Sequence, residues 1–139
     1  MSVPNYSSLN VDDNIPSMTM PPVTRHALAI YCGASGDHNP LHVDIDFARE
    51  SGLDDVIAHG MLIMAYMGRT LTDWAPQDAI RSFDTRFQAM TLIGDAITTT
   101  GTIVEKFDEG KEHCVRVEVT AADQRGEVKA LGTAVIALS

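Results

Sequence analysis

The spacing of hydrophobic positions changes once along this chain, near Pro76. Ahead of it apolar residues recur every three or four positions, the period of a helix; beyond it they alternate, the period of a strand. From Thr24, a usable N-cap, residues His26, Ala27, Ile30, Tyr31 and Ala34 form a helical stripe that Gly33 and Gly36 weaken, so a helix is expected to stop before Gly36. A second, short helix is expected over 46–51, capped by Asp44 or Asp46 and closed by Gly52. The segment HGMLIMAYMGRTLTDW, 59–74, is apolar on nearly every face through its first two turns, which marks a helix wrapped by other structure, and Pro76 ends it.

In the second half, Phe83, Thr85, Phe87 and Ala89 face one way and Asp84, Arg86 and Gln88 the other, before a turn at Gly94 and Asp95. Strands then follow over 96–106, 113–121 and 128–138, separated by turn residues at Asp108-Glu109-Gly110 and Arg125-Gly126. Consecutive strands at hairpin spacing predict an antiparallel meander with the apolar helix packed on one face, an α+β domain. Residues 1–15 read as a loose lead-in to a single domain over 16–139. Within 15–23, Pro16, Pro21 and Pro22 leave room for an edge strand at most. There is no internal repeat and no dinucleotide-binding glycine fingerprint.

Composition narrows the function classes. A chain of 139 residues is long enough to bury roughly two-thirds of the surface its unfolded form exposes. With 45% hydrophobic and 21% charged residues it does not resemble a disordered chain. The net charge of -9 repels nucleic acid and anionic lipid, so neither is expected as a partner. Cys32 and Cys114 have apolar neighbours and read as buried free thiols. The N-terminal residues lack the basic start and apolar run of a signal peptide, and the apolar run 61–67 is far short of the about 20 residues that span a bilayer, so a cytoplasmic protein is expected.

One septet concentrates polar chemistry: GDHNPLH, Gly36 to His42. Gly36 permits unusual backbone angles, while Pro40 bars a helix and pushes Asn39 to an extended conformation, so the septet is an irregular turn. Such a turn can bring Asp37 and His42 to one place, where a carboxylate and an imidazole can hold and activate a water. A metal site from His38, His42, Asp44 and Asp46 fits poorly, because Pro40 removes the helix that would align the two histidines and the spacing is not that of a calcium loop. A turn stabilised by Asp37 and Asn39 side chains is the plainer alternative, and it leaves most of the septet unexplained.

SGDHNPLHVD and the downstream AHGM resemble the hydratase signature of the MaoC-like family, which includes (R)-specific enoyl-CoA hydratases and (3R)-hydroxyacyl-thioester dehydratases. The likeness runs from about Tyr31 to Asp95, through YCGASGDHNPLHVD, GLDDVIAHGMLIM and the strand DTRF, and is greatest to dehydratase subunits of actinobacterial fatty-acid elongation systems. It implies a hot dog fold, an antiparallel sheet wrapped around one long apolar helix. It also implies that Asp37 and His42 bind the water, that Asn39 shapes the turn, and that the Gly60 amide polarises the thioester carbonyl. Unpaired amides at a helix start favour developing negative charge, which suits that last role. His59 matches the family and reads as orienting the helix start. Met61, with Met64 and Met67 at helical spacing, reads as core filling that could also line an acyl pocket.

The resemblance further implies a lyase that needs no metal and no organic cofactor, with a coenzyme A thioester as substrate. A homodimer is expected, the alternative being an accessory subunit of a heterodimeric dehydratase with little activity alone. A thioesterase on the same fold would lack GDHNPLH. Two positions depart from the pattern: Gly68 stands where some members carry a serine that helps hold the water, and Met90 and Thr91 where a proline is usual. Arg69, Arg81, Arg86 and Lys106 are the candidate cations for the coenzyme A tail, and the chain's acidity disfavours an acidic carrier protein as the handle.

Overall fold

Thr24 caps a helix as its side chain predicts, accepting the Ala27 amide, and helix α1 (Arg25–Ser35) ends where Gly36 adopts a left-handed φ of 74°. In this computed structural model, which describes residues 3–139, two further helices follow. The short α2 (Ile45–Glu50) is capped by Asp44, whose carboxylate accepts the amides of Asp46 and Phe47. The long α3 (Gly60–Trp74) stops ahead of Pro76. The strands are β1 (Asn14–Thr19), β2 (Ile80–Phe87), β3 (Thr98–Glu109), β4 (Glu112–Ala122) and β5 (Val128–Leu138), all antiparallel in one five-stranded sheet of order β1-β3-β4-β5-β2.

Helix α3 lies against every strand of that sheet, and the main core forms between them: Ile63, Met67 and Leu71 of the helix against Ile103, Val117 and Ala134 of the sheet. A second, smaller core joins Leu28 of α1, Ala48 of α2, Val23, Val56 and Ala58. This α+β arrangement of a curved sheet around a central helix is the hot dog fold. Among the described residues no helix is long and apolar enough to cross a membrane.

Four details differ from the expected pattern. First, only β3, β4 and β5 form a meander; β2 pairs with β5, with Phe83 opposite Ala134 and Phe87 opposite Ala130. The connection over 88–97 is too long for a tight turn, and its backbone bonds elsewhere: Gly94 N–H donates to Val23 O, Val23 N–H to Asp95 O, and Leu92 bridges to Ile57. Second, residues 1–15 are not a loose lead-in over their described part. Ile15 is a buried member of β1, the Lys106 ammonium bonds the carbonyls of Tyr6 and Leu9, and Tyr6 stacks on His113. Third, α1 buries Leu28 and Cys32, whereas Ile30 is 59% exposed, because the helix meets only the narrow second core. Fourth, α3 buries one face through Ile63, Met67, Thr70 and Leu71 and leaves Met61 at 54% exposure, so the helix is covered by the sheet and not wholly wrapped.

Candidate active site

The septet forms a chain of local hydrogen bonds that its residue types dictate. Gly36 closes α1 by donating to Cys32 O, Asp37 Oδ1 accepts the Asn39 amide at 3.3 Å, and Asn39 Oδ1 accepts the Leu41 amide at 3.1 Å. Asn39 thereby caps a single 3-10 turn, Pro40–His42, with Pro40 at the position where its missing N–H is harmless. The turn is then fastened to the segment before α3: Ile57 N–H donates to Leu41 O at 3.1 Å, and His42 Nδ1 lies 2.7 Å from Ile57 O. A carbonyl can only accept, so His42 carries its proton on Nδ1 and presents the free lone pair of Nε2.

That lone pair faces Asp37. Asp37 Oδ2 lies 3.9 Å from His42 Nε2, too far for a direct hydrogen bond and close enough for one water to bond both atoms. His42 is nearly buried, with 11% of its side chain exposed, against 46% for Asp37. His59 completes the cluster. It is 1% exposed, its ring stacks on that of His42 with centroids 3.8 Å apart and planes 25° apart, and its Nε2 lies 3.3 Å from Asp37 O. Burial pushes the His59 imidazole below its ordinary pKa and the His42 neighbour adds to this, against an opposing pull from Asp37. Asp37, His42 and His59 each bring one potential ligand atom within 4.8 Å of the others. Imidazole lone pairs lie in the ring plane, however, and two stacked rings do not direct theirs at a common ion, so the trio is poorly built for a metal.

Beside His42 opens a cleft of about 350 Å³ with Gly60, Ile57, Ile63, Phe87 and Met90 among its walls. Gly60 is the first residue of α3, where the amides lack intrahelical partners. A Cβ on Gly60 would come within 3.2 Å of the Phe87 ring, so glycine here lets a ligand reach backbone with no side chain in the way. Of the predicted residues, His42 and Gly60 line the cleft; Asp37 stands beside His42, and Asn39 and His59 support the turn from outside the lining. Met61 does not line it, and its place is taken by Ile63, while Met67 belongs to the main core. Gly68 is likewise not in the lining and has the Phe83 ring as its neighbour. His38 is exposed.

Sequence reasoning missed Lys129. It lies on the cleft wall yet is 1% exposed, donating to Met90 O at 2.9 Å and to Glu127, with Asp123 Oδ2 at 3.4 Å and Asp95 Oδ2 at 3.5 Å. Burial alone would pull the ammonium pKa down; Glu127, Asp95 and Asp123 outweigh it and hold it above the ordinary value. Of the four candidate cations for a coenzyme A tail, Arg81 pairs with Glu112, Lys106 bonds backbone carbonyls and Arg69 lies 3.7 Å from Asp73. Arg86 makes no ion pair among the described residues.

Comparisons with known proteins are consistent with this geometry. A family model described as a MaoC like domain matches residues 11–125. An (R)-specific enoyl-CoA hydratase of Rhodospirillum rubrum is 32% identical over 104 residues, covering 72% of this chain and 71% of that protein. The structure of an R-hydratase, PhaJ1 of Pseudomonas aeruginosa, superposes with a TM-score of 0.84 at 25% identity, covering 96% of this chain and 84% of that one. Fatty acid synthase subunit beta of Aspergillus oryzae is 38% identical over 74 residues, half of this chain; the match spans only 4% of that much longer protein.

Proposed function

Since the chain belongs to the MaoC-like dehydratase family, we propose that it is a hydro-lyase that reversibly hydrates trans-2-enoyl thioesters, with coenzyme A as the handle, to (R)-3-hydroxyacyl thioesters. One observation carries this reading: Asp37 and His42 are set 3.9 Å apart beside a cleft that also opens on the free start of α3 at Gly60. In the hydration direction the Gly60 amide donates to the thioester carbonyl and draws electron density from the double bond. A water held between Asp37 Oδ2 and His42 Nε2 gives its oxygen to C3, and a proton is delivered to C2 on the same face, so water is consumed and nothing is released. Dehydration reverses each step. The test is hydration of crotonyl-CoA by the purified protein, followed by loss of the enoyl-thioester absorbance, with the chirality of the product determined. A well-folded protein inert on short and long enoyl thioesters alike would instead be the accessory subunit of a heterodimer.

Gly60→Ala is expected to lower kcat/KM about tenfold or more, because the added methyl enters the cleft between the Gly60 amide and the Phe87 ring. The Phe87 ring is 52% exposed and can yield, so the melting temperature is expected to hold, and alanine is the better helix former. A drop in melting temperature with unchanged kinetics would sink this assignment.

The quaternary state proposed is a homodimer. Strand β2 leaves one edge unpaired, and the exposed apolar residues Met61, Phe87, Met90 and Leu92 lie on or near it and the cleft, where a second copy would cover them. Sedimentation at micromolar concentration is expected to give twice the chain mass; a monomer at all concentrations overturns the homodimer.

A further inference from the structure

We propose that His59 is the positioning residue of this site: it holds Asp37 and His42 in register with the start of α3, and does so as a neutral ring. The proposal rests on the hydratase reading above for its kinetic consequences and on geometry alone for its structural ones.

His59 occupies the N-cap of α3 but makes no side-chain capping bond. N-caps favour short polar side chains that accept the next amides, so a histidine that forgoes this bond is serving another purpose. Its contacts say which. One face of the ring lies on His42, 3.8 Å centroid to centroid. Tyr31 meets it edge-on at 4.7 Å. Its Nε2 is 3.3 Å from the Asp37 carbonyl and 3.4 Å from Cys32 Sγ. The titratable groups facing His59 are therefore Asp37, His42, Tyr31 and Cys32, and the single ring touches both members of the water-binding pair.

The tautomer follows from the partners. The Asp37 carbonyl only accepts, so Nε2 carries the proton. His59 Nδ1 is buried and has no partner among the described residues, so a second proton there would sit as a buried, unpaired N–H on a cation, which is costly. The ring stays neutral, in agreement with the lowered pKa that burial and His42 impose on it. A neutral flat ring stacked on His42 bars rotation of the His42 imidazole, whose Nδ1 is already tied to Ile57 O. The Nε2–H bond meanwhile pins the peptide of Asp37. With its backbone leading directly into Gly60, His59 links the water-holding pair to the amide that faces the carbonyl.

Two substitutions separate the two contacts. His59→Phe keeps a flat ring and loses the donor; His59→Gln keeps an N–H donor and loses the ring. Each is expected to lower kcat about tenfold to a hundredfold while KM stays within about threefold, since a small misplacement of reacting groups costs rate and not binding. Placed in a His42→Gln background, His59→Gln is expected to cost less than about twofold further, because the ring that it stacked on and positioned is gone. Equal losses in both backgrounds, or a KM that rises with unchanged kcat, would mean a merely structural role and overturn the proposal.

Imidazole nitrogen NMR gives a reading independent of turnover. In the wild type His42 is expected to show one tautomer, protonated on Nδ1, and in His59→Gln an exchanging mixture of tautomers. An unchanged His42 spectrum in that variant overturns the proposal even if the wild type hydrates nothing, whereas an inert wild type with the predicted spectral change removes only the hydratase reading.

Discussion

Asp37→Asn and His42→Gln are each expected to slow hydration of crotonyl-CoA by about a hundredfold or more while leaving the protein folded. Asn at position 37 is isosteric and keeps an oxygen for the Asn39 amide, which Asp37 Oδ1 now accepts at 3.3 Å, so the turn survives. What it loses is the negative charge beside His42 Nε2. Gln at position 42 removes the imidazole lone pair that completes the water site. Because the two groups hold one water, the double variant is expected to fall little below the weaker single one, the non-additivity of residues that act as a unit. Folded single variants that retain more than about a third of wild-type kcat would remove Asp37 and His42 from the chemistry, since even one general acid or base contributes more than that.

The helices and the septet were legible because their signals are local. Thr24, Asp44, Gly36 and Gly52 announce helix ends through the chemistry of single residues, and Pro40 with Asn39 forces a turn that no longer-range contact needs to impose. The strands were legible as strands for the same reason, through alternation. Their order was not, because pairing depends on where the 88–97 connection finds hydrogen bonds, and its partners Val23 and Ile57 lie far off in sequence. Burial along α1 was misjudged at Ile30 because periodicity marks an apolar face but not what covers it. At the site, the turn that brings Asp37 near His42 was readable from Gly36 and Pro40, while the roles proposed for Asp37, Asn39 and His42 came from the resemblance to the MaoC-like family. The roles of His59 and Ile57 were not readable, since a ring stack and a carbonyl acceptor leave no mark on residue type. Lys129, between Val128 and Ala130, reads as a solvent-facing position of an alternating strand, and only the converging acids at Asp95, Asp123 and Glu127 explain its burial.

Those acids make Lys129→Met the substitution with the largest expected effect on stability. Asp123 is fully buried and Asp95 is 5% exposed, and their other cationic neighbour is Arg125, itself 63% exposed, at 2.9 Å from Asp123 and 3.5 Å from Asp95. Methionine matches the lysine stem in volume, so packing is conserved, but it leaves two buried carboxylates sharing one exposed guanidinium and leaves the Met90 carbonyl without its donor. Removing one partner of a buried ionic cluster costs about 3–5 kcal/mol, a large share of the about 5–15 kcal/mol that holds a domain folded. Urea titration is the measurement, and a loss below about 1 kcal/mol would show that Arg125 alone satisfies both acids. The sign of the pH dependence follows from Asp123. Burial raises its pKa, but the Arg125 hydrogen bond and the amides of Glu127 and Arg125 outweigh that and hold the carboxyl well below the usual carboxylate range. A depressed carboxyl contributes stability that is present above the unfolded pKa, about 3.9, and is lost as pH falls through the folded one. In Lys129→Met the Asp123 carboxylate loses a neighbouring cation and takes up its proton at higher pH than in the wild type, which relieves the unpaired charge. The stability gap between the two proteins is therefore expected to be widest near neutrality and to narrow on acidification. A gap that widened toward acid would mean that Lys129 stabilises the fold through its stem and not through its charge.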